Sequence, residues 1–214
     1  LKMAQTTLNY NMYPSSGRHR LLEFRYILSH EKHFEGTMYA DGTSVTRPLK
    51  STLLARLNLE DYYSLGRWFL LGFNLDITVS TPLDLCDYTS TMMAMPAFQP
   101  TIHSRTLMLE AYRAPIYVGF TVNPVIKFTK TVFLHLSGGY FQPYKELLET
   151  AGGGYTYSQP LPRGGFVGNA AIVWQSPIGP ISLSCAYYEK AEKAKWYPSF
   201  NIGYLIFREH GLRN

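Results

Sequence analysis

Few residue patterns in this sequence could support catalysis. A Gly-x-Ser-x-Gly segment, which would present the nucleophile of a serine hydrolase, does not occur in the 214 residues. The Gly152-Gly153-Gly154 tract lacks the Lys-Ser/Thr pair of a phosphate-binding loop, and we interpret it as a mobile outer loop. We therefore expect no catalytic residues in this chain.

Metal-binding patterns are also sparse. His30 and His33 have no third candidate ligand nearby in sequence, so we interpret them as surface histidines. Cys86 and Cys185 belong to no Cys-x-x-Cys motif and have no histidine close to them in sequence. We predict no metal and no cofactor. The cysteines are interpreted as two free thiols, and a disulfide between them remains the alternative.

The polar residues that could meet in one site lie within segments of alternating apolar residues. From Arg67 to Val79, apolar side chains occupy every second position, and Asn74 and Asp76 fall in the other set. A helix would spread these two polar residues across its apolar face, so the segment is predicted to be a strand. The same alternation predicts a common lumen-facing set: Glu23, Arg25, Arg56, Asn74, Asp76, His135 and Asn169.

The opposite face of the predicted strands carries large apolar side chains. Segments of about 8–13 residues that are apolar on one side and polar on the other suit strands that cross a bilayer around a lumen. We therefore predict a lipid-facing set: Phe69, Leu71, Phe73, Leu75, Ile77, Val118, Phe120, Ile172, Trp174, Ile202, Tyr204 and Ile206.

Ten strands are predicted in one domain that covers residues 1–214. They are Thr7–Tyr13, Leu21–Ser29, Phe34–Ala40, Leu49–Asp61, Arg67–Val79, Ile116–Val122, Thr131–Tyr140 and three strands between Gly165 and Phe207. Asp41-Gly42 and Asn123-Pro124 are predicted turns, and residues 80–115 form a long excursion with room for one short strand at Thr106–Ala111. Apart from the first turn, long loops and short turns alternate, which is typical of an outer-membrane barrel.

The composition favours a wall between two solvents. Charged residues make up only 16% and aromatic residues 15%, so the Lys/Glu cover of a soluble surface is thin. The 20 basic residues are scattered, which argues against nucleic-acid binding despite the net charge of +5. No apolar run is long enough for a transmembrane helix. A soluble sandwich or lipocalin-like barrel has the same alternation and remains the competing architecture.

Two parts of the sequence carry a family resemblance. The run from Gly165 to Ser184, with Ser199–Phe207, resembles the C-terminal strands of the bacterial surface-antigen barrels, which include the BamA and TamA insertases. Phe98–Thr101 to Tyr112–Ala114, together with Tyr140–Tyr144, resembles the barrel appended to patatin-like phospholipases of Bacteroidetes. Asp41-Gly42-Thr43 resembles the aspartate motif of the patatin dyad, but without the matching serine we interpret it as a hairpin turn.

The resemblance implies a particular architecture. The superfamily barrel has sixteen antiparallel strands, and counting back from the C-terminus assigns the ten strands here to its last ten. Residues 80–115 would then be the loop that tucks into the lumen, and Arg113 would be the nearest match to the arginine of that loop's Arg-Gly-Phe/Tyr motif. Because the chain begins at Leu1 without a signal peptide, we expect it to be a processed product or a piece of a longer protein.

Three functions are weighed on this basis. The first is an outer-membrane β-barrel that anchors an upstream patatin-like phospholipase domain, or translocates it, without catalysis in this segment. The second is the barrel of a BamA/TamA-type insertase, and the third is a soluble barrel that binds an apolar ligand. The expected partners of the first two are outer-membrane lipids, the upstream domain or a client polypeptide, with a homo-oligomer as a further option. The expected location is the bacterial outer membrane.

Overall fold

The chain is built mostly of antiparallel β-sheet. The computed structural model describes residues 1–10, 12–34, 44–46, 49–82, 84–177, 179–191 and 194–203. Nine strands in this part of the chain form one sheet, which confirms the all-β prediction. None of the helices within the described ranges has the length and apolar character needed to cross a bilayer.

The elements follow one another as a meander with two small side hairpins. The strands are β1 (Lys2–Thr6), β2 (Gly17–Ser29), β3 (Lys32–Phe34), β4 (Ser44–Thr46), β5 (Lys50–Ser64), β6 (Phe69–Ser80), β7 (Ile116–Lys127), β8 (Val132–Pro143), β9 (Leu147–Glu149), β10 (Tyr155–Tyr157), β11 (Gly165–Ser176), β12 (Gly179–Tyr188) and β13 (Trp196–Ile202). One α-helix, α1 (Tyr88–Ala94), and two 3₁₀ turns lie between β6 and β7.

The main sheet has the order β1-β2-β5-β6-β7-β8-β11-β12-β13, and every neighbouring pair is antiparallel. The described residues include no pairing between β1 and β13, so the sheet is open. Three tight connections, β5–β6, β7–β8 and β11–β12, lie at one end, which we call the turn end. The connections β2–β5, β6–β7, β8–β11 and β12–β13 lie at the other end, the loop end.

The two faces of the sheet have opposite polarity. In β6 the polar residues Asp76, Thr78 and Ser80 are buried, whereas Phe69 and Val79 on the opposite face are exposed. Cross-strand pairing extends these two sets across the sheet, because directly paired residues share a face. We call the buried, polar side the inner face and the apolar side the outer face.

Two connecting segments cover the inner face from opposite ends. The long loop, residues 81–115, comes from the loop end and places Phe98, Tyr112 and Ala114 in a buried cluster with inner-face residues of β7, β8, β11 and β12. The N-terminal loop, residues 7–16, comes from the turn end and buries Met12 and Tyr13 in a second cluster. The core of this chain therefore lies between the sheet and its own loops.

The N-terminal loop also indicates how strongly the sheet curves. Ser182 of β12 donates a hydrogen bond of 3.2 Å to the Tyr13 hydroxyl. Tyr13 precedes β2, and five strands separate β2 from β12 in the sheet. A flat sheet would hold strands this far apart well beyond side-chain reach, since neighbouring strands are about 4.8 Å apart. The sheet must therefore curl around its inner face.

The prediction of a strand at Thr7–Tyr13 is wrong. The first strand is β1, and residues 7–16 form the N-terminal loop. The Asn9 carboxamide oxygen accepts the backbone N–H groups of Ser15 (3.0 Å) and Ser16 (3.1 Å), which closes the loop on itself. A side chain that satisfies local backbone donors in this way competes with strand pairing.

The predicted turn at Asn123-Pro124 and the strand option at Thr106–Ala111 are also wrong. Both residues of the dipeptide lie inside β7 and pair with β6, while pairing of β7 with β8 lapses at these two positions, where Pro124 has no N–H to donate. Within the long loop, Glu110–Tyr112 is a 3₁₀ turn. The predicted strand Phe34–Ala40 falls mostly outside the described residues, as does the Asp41-Gly42 turn.

We predict that Gly119→Val loosens the long loop from the sheet. A Cβ atom on Gly119 would lie 2.1 Å from Cε2 of Phe98, so the ring would have to move out of its cluster. Overpacking of this kind costs about 1–3 kcal/mol. Urea unfolding in detergent micelles, together with the rate of proteolysis within residues 81–115, measures the effect.

Gly168→Val is the matched control, because a Cβ atom on Gly168 meets its nearest neighbour only at 3.7 Å. We expect this variant to unfold like the parent protein. Equal stability of the two variants would contradict the packing of Phe98 against Gly119.

Candidate functional site

The inner face and the loop that covers it form the candidate site, and a buried ion pair lies at its centre. The Arg56 guanidinium on β5 donates from Nε to Asp76 Oδ1 (3.0 Å) and from a terminal nitrogen to Asp76 Oδ2 (2.7 Å) on β6. The Asp76 side chain is only 4% exposed. Two parallel bonds fix the planar groups edge to edge and neutralise the buried carboxylate.

Asp76 also connects the sheet to the long loop. The Tyr117 hydroxyl on β7 lies 3.4 Å from Asp76 Oδ2 and 3.1 Å from the backbone oxygen of Ala97. Tyr117 is buried at the inner face, beside Phe98 and Phe141. The ion pair thus lies directly below the point at which the loop contacts the sheet.

Further polar side chains extend the pair along β2, β5 and β6. Arg25 donates to the buried carboxylate of Glu23 at 2.8 Å, and Asn58 donates to Asn74 at 3.1 Å. Register places Glu23 directly opposite Arg56. The structure therefore brings five of the seven predicted lumen-facing residues into one polar strip on the inner face.

The two remaining lumen-facing residues, His135 and Asn169, lie nearer the turn end and on the other side of the sheet. The His135 ring is buried and contacts the Tyr13 ring edge-on, with centroids 5.5 Å apart. Neither ring nitrogen of His135, nor the side-chain oxygen of Asn169, finds a hydrogen-bond partner among the described residues. Buried polar atoms of this kind bind ordered water, so we expect internal water between the sheet and its loops.

Arg113 is held within the long loop itself. One terminal nitrogen of its guanidinium donates to the backbone oxygens of Met92 (3.4 Å), Met93 (3.1 Å) and Met95 (2.9 Å). These are carbonyl groups at the C-terminal end of α1, which have no partner within the helix. Burial lowers the pKa of Arg113. The residue lies in the loop that covers the inner face, but its contacts hold the loop's helix rather than the sheet.

Aromatic side chains fasten the same loop to β8, β11 and β12. Phe98 stacks on Phe141 with ring centroids 5.7 Å apart. The Tyr112 hydroxyl donates to the backbone oxygen of Phe166 at 2.7 Å, and burial raises the pKa of Tyr112 to about 12. Thr101 and Tyr188 share a hydrogen bond of 3.0 Å between their hydroxyl groups. Sequence analysis did not identify these contacts, although aromatic residues are abundant throughout the chain.

The predicted lipid-facing residues lie on the outer face wherever the structure describes them. Ile172, Trp174 and Ile202 are 54%, 49% and 62% exposed. Tyr204 and Ile206 lie outside the described residues. The remaining members are exposed or half-buried: Phe69, Leu71, Phe73, Leu75, Ile77, Val118 and Phe120.

The cysteines and histidines form no metal centre within the described ranges, where no group of three or more potential metal ligands occurs. Cys86 and Cys185 are both free. Cys185 belongs to the outer face of β12, and Cys86 precedes α1. Burial, together with hydrogen bonds to Glu31 and Asp87, raises the pKa of the Cys86 thiol to about 11, which keeps it protonated at neutral pH.

Comparison with known proteins gives no relatives. No family model matches the sequence, and no curated protein or solved structure matches the chain. The function is therefore argued from the geometry of the two faces.

We predict that Arg56→Met is strongly destabilising, because it leaves the Asp76 carboxylate buried without its counterion. Removal of one partner from a buried pair costs about 3–5 kcal/mol. The double variant Arg56→Met/Asp76→Leu should recover most of this loss, since no buried charge is left behind. Urea unfolding of the single and double variants in detergent measures both effects.

Arg25→Met is the matched control, because the Arg25 side chain is 47% exposed and an exposed pair contributes only about 0–1 kcal/mol. If Arg56→Met is no more destabilising than Arg25→Met, the Arg56–Asp76 pair is not buried in solution.

We predict that Arg113→Ala selectively loosens α1. Hydrogen bonds to a charged group contribute about 1.5–3 kcal/mol, so their loss should accelerate amide hydrogen exchange in residues 88–95 by about tenfold or more. Exchange in β7 and β8 should stay unchanged. Exchange that rises uniformly through the sheet would contradict a role confined to the loop.

Proposed function

We propose that this chain forms part of the wall of a bacterial outer-membrane β-barrel, with the long loop as a plug on its lumenal side. One observation carries the proposal, namely that the polar face of the sheet is buried and the apolar face is exposed. In β12, for example, Ser182 and Ser184 are buried, while Leu183 between them is 61% exposed.

A soluble sheet requires the reverse arrangement. Its apolar face is buried, because removal of apolar surface from water drives folding, and its polar face meets the solvent. Here the exposed apolar side chains continue across neighbouring strands, as in the paired residues Leu75, Phe120 and Tyr140. Such a continuous band is well beyond the apolar patches of ordinary soluble proteins, and a bilayer would cover it.

The distribution of aromatic residues at the ends of the band agrees with this proposal. Tyr63 and Trp68 are exposed at the turn end, and Trp196 is exposed at the loop end. Amphipathic rings of this kind concentrate at the two interfaces of a membrane. The band between them consists of strands of 7–15 residues, and a strand tilted across a bilayer needs about 9–11 residues.

The covered inner face supports a plugged wall rather than an open pore. The long loop and the N-terminal loop enter from opposite ends and fill the inner side with the two clusters described above. Support for a phospholipase anchor or for an insertase comes from the sequence resemblance alone, and both stay predictions.

The proposal predicts that Leu183→Arg impairs insertion into lipid bilayers. Arginine at the midplane of a lipid-facing strand costs about 2–4 kcal/mol, and near an interface about 0–1 kcal/mol. Leu183 lies in the middle of β12, whereas Trp196, 64% exposed, begins β13. Trp196→Arg is therefore the matched control. Folding into phosphatidylcholine vesicles, followed by heat-modifiable migration on gels, measures insertion.

The soluble alternative makes the opposite prediction. Arginine at either position would then replace exposed apolar surface with charge, so both variants would dissolve better and the parent protein would stay soluble without detergent. That result would overturn the membrane proposal.

A further inference from the structure

The outer face of the sheet carries almost no charge, and its charged residues are concentrated in one place. Among the outer-face positions of the nine described strands, charged side chains occur only at Arg18, Arg20 and Asp61. All three lie at the turn end, on the neighbouring strands β2 and β5. The rest of the outer face is apolar or uncharged, so this cluster calls for a specific explanation.

The charges within this cluster do not cancel. Arg18 lies opposite Asp61, with Nε 3.2 Å from the carboxylate oxygen Oδ1. Arg20 lies between Gln5 on β1 and Leu59 on β5, and its guanidinium has no ion pair or hydrogen bond within the described residues. The cluster therefore retains one net positive charge, on a side chain whose neighbour on one side is apolar.

A cavity opens beside these arginines. Its volume is about 440 Å³, and it is lined by Gln5, Thr7, Gly17, Arg18, Arg20 and Tyr62. The arginines offer forked N–H donors, and the Gln5 amide and Thr7 hydroxyl add uncharged donors. Two guanidinium groups with neutral donors around a cavity of this size suit a phosphate group, which accepts bidentate bonds from arginine.

Apolar side chains continue directly from the cavity along the outer face. After Arg20, the next outer-face residues of β2 are Leu22 and Phe24, which are 38% and 47% exposed, and Met3 of β1 is 58% exposed beside them. A ligand with an anionic head and apolar chains would match both parts. An inorganic phosphate would use only the head site.

We propose that Arg18 and Arg20, with Gln5 and Thr7, bind the phosphate of an anionic phospholipid at the turn end of the sheet. This proposal rests on the membrane location proposed above. The net positive charge favours a headgroup with net negative charge over a zwitterionic one, in which the ammonium group offsets the phosphate. Leu22 and Phe24 would contact the acyl chains.

The test compares lipid selectivity of the detergent-solubilised protein and two variants. Native mass spectrometry gives the ratio of binding constants for dioleoylphosphatidylglycerol and dioleoylphosphatidylcholine. We expect the parent protein to prefer the anionic lipid by about fivefold or more, and Arg20→Gln to lose most of this preference. Arg67→Gln is the control, because Arg67 lies over the Trp68 ring in the β5–β6 turn and does not line the cavity.

The control separates a specific site from general surface charge. Retention of the preference in Arg67→Gln and its loss in Arg20→Gln support the proposal. Equal losses in both variants would overturn it, because the preference would then follow total charge. Displacement of phosphatidylglycerol by millimolar inorganic phosphate would also overturn the lipid assignment in favour of a soluble anion.

Failure of this proposal is distinguishable from failure of the membrane proposal. If the parent protein inserts into vesicles but Arg20→Gln keeps the full anionic preference, only the headgroup site is wrong. If the parent protein stays soluble without detergent and does not insert, the membrane location is wrong and the lipid site is wrong with it.

Discussion

Burial of polar side chains on the inner face is the constraint on which the other features of this chain depend. A buried carboxylate destabilises a protein unless it is neutralised and hydrogen-bonded, and Asp76 meets both requirements through Arg56 and Tyr117. Tyr117 in turn contacts the backbone of Ala97, so the same group that completes the polar strip also fixes the long loop. The polar strip and its cover are therefore one structural unit.

Close approach of the loop also determines where the inner face has small residues. The Phe98 ring occupies the space above Gly119, and the Tyr62 ring occupies the space above Gly72, where a Cβ atom would lie 2.3 Å from the ring. On the outer face, Gly138 and Gly168 leave open space instead, with no contact nearer than 3.7 Å. Glycine thus serves close packing on one face and leaves a shallow depression on the other.

Much of the sheet could be predicted from the sequence, because strict alternation over a long segment has only one structural explanation. β6 and β11 to β13 follow the predicted pattern of alternating faces, and the long excursion after β6 lies where the loss of alternation indicated. The errors at Thr7–Tyr13 and at Asn123-Pro124 share a cause. In both places local turn chemistry competes with strand pairing, and the winner is decided by neighbours distant in sequence.

The contacts of the candidate site were less predictable, because they join residues far apart in the chain. Alternation placed Arg56 and Asp76 on one face, but their pairing depends on the register between β5 and β6. The hydrogen bonds of Tyr13 to Ser182 and of Tyr112 to Phe166 depend on how far the sheet curls, which no local pattern encodes. Sequence therefore indicated which residues share a face, while tertiary geometry selected their partners.

The two loops also explain how an open sheet keeps its curvature. The N-terminal loop joins the β2 side to β12, and the long loop contacts β7, β8, β11 and β12, so side chains hold the curl without any pairing of the edge strands. The edges β1 and β13 still present backbone groups that have no strand partner in the described sheet. Hydrocarbon offers no hydrogen bonds to such groups, so a wall in the membrane requires a strand against each edge. Curvature that is fixed from inside presents both edges in a shape to which such strands can add.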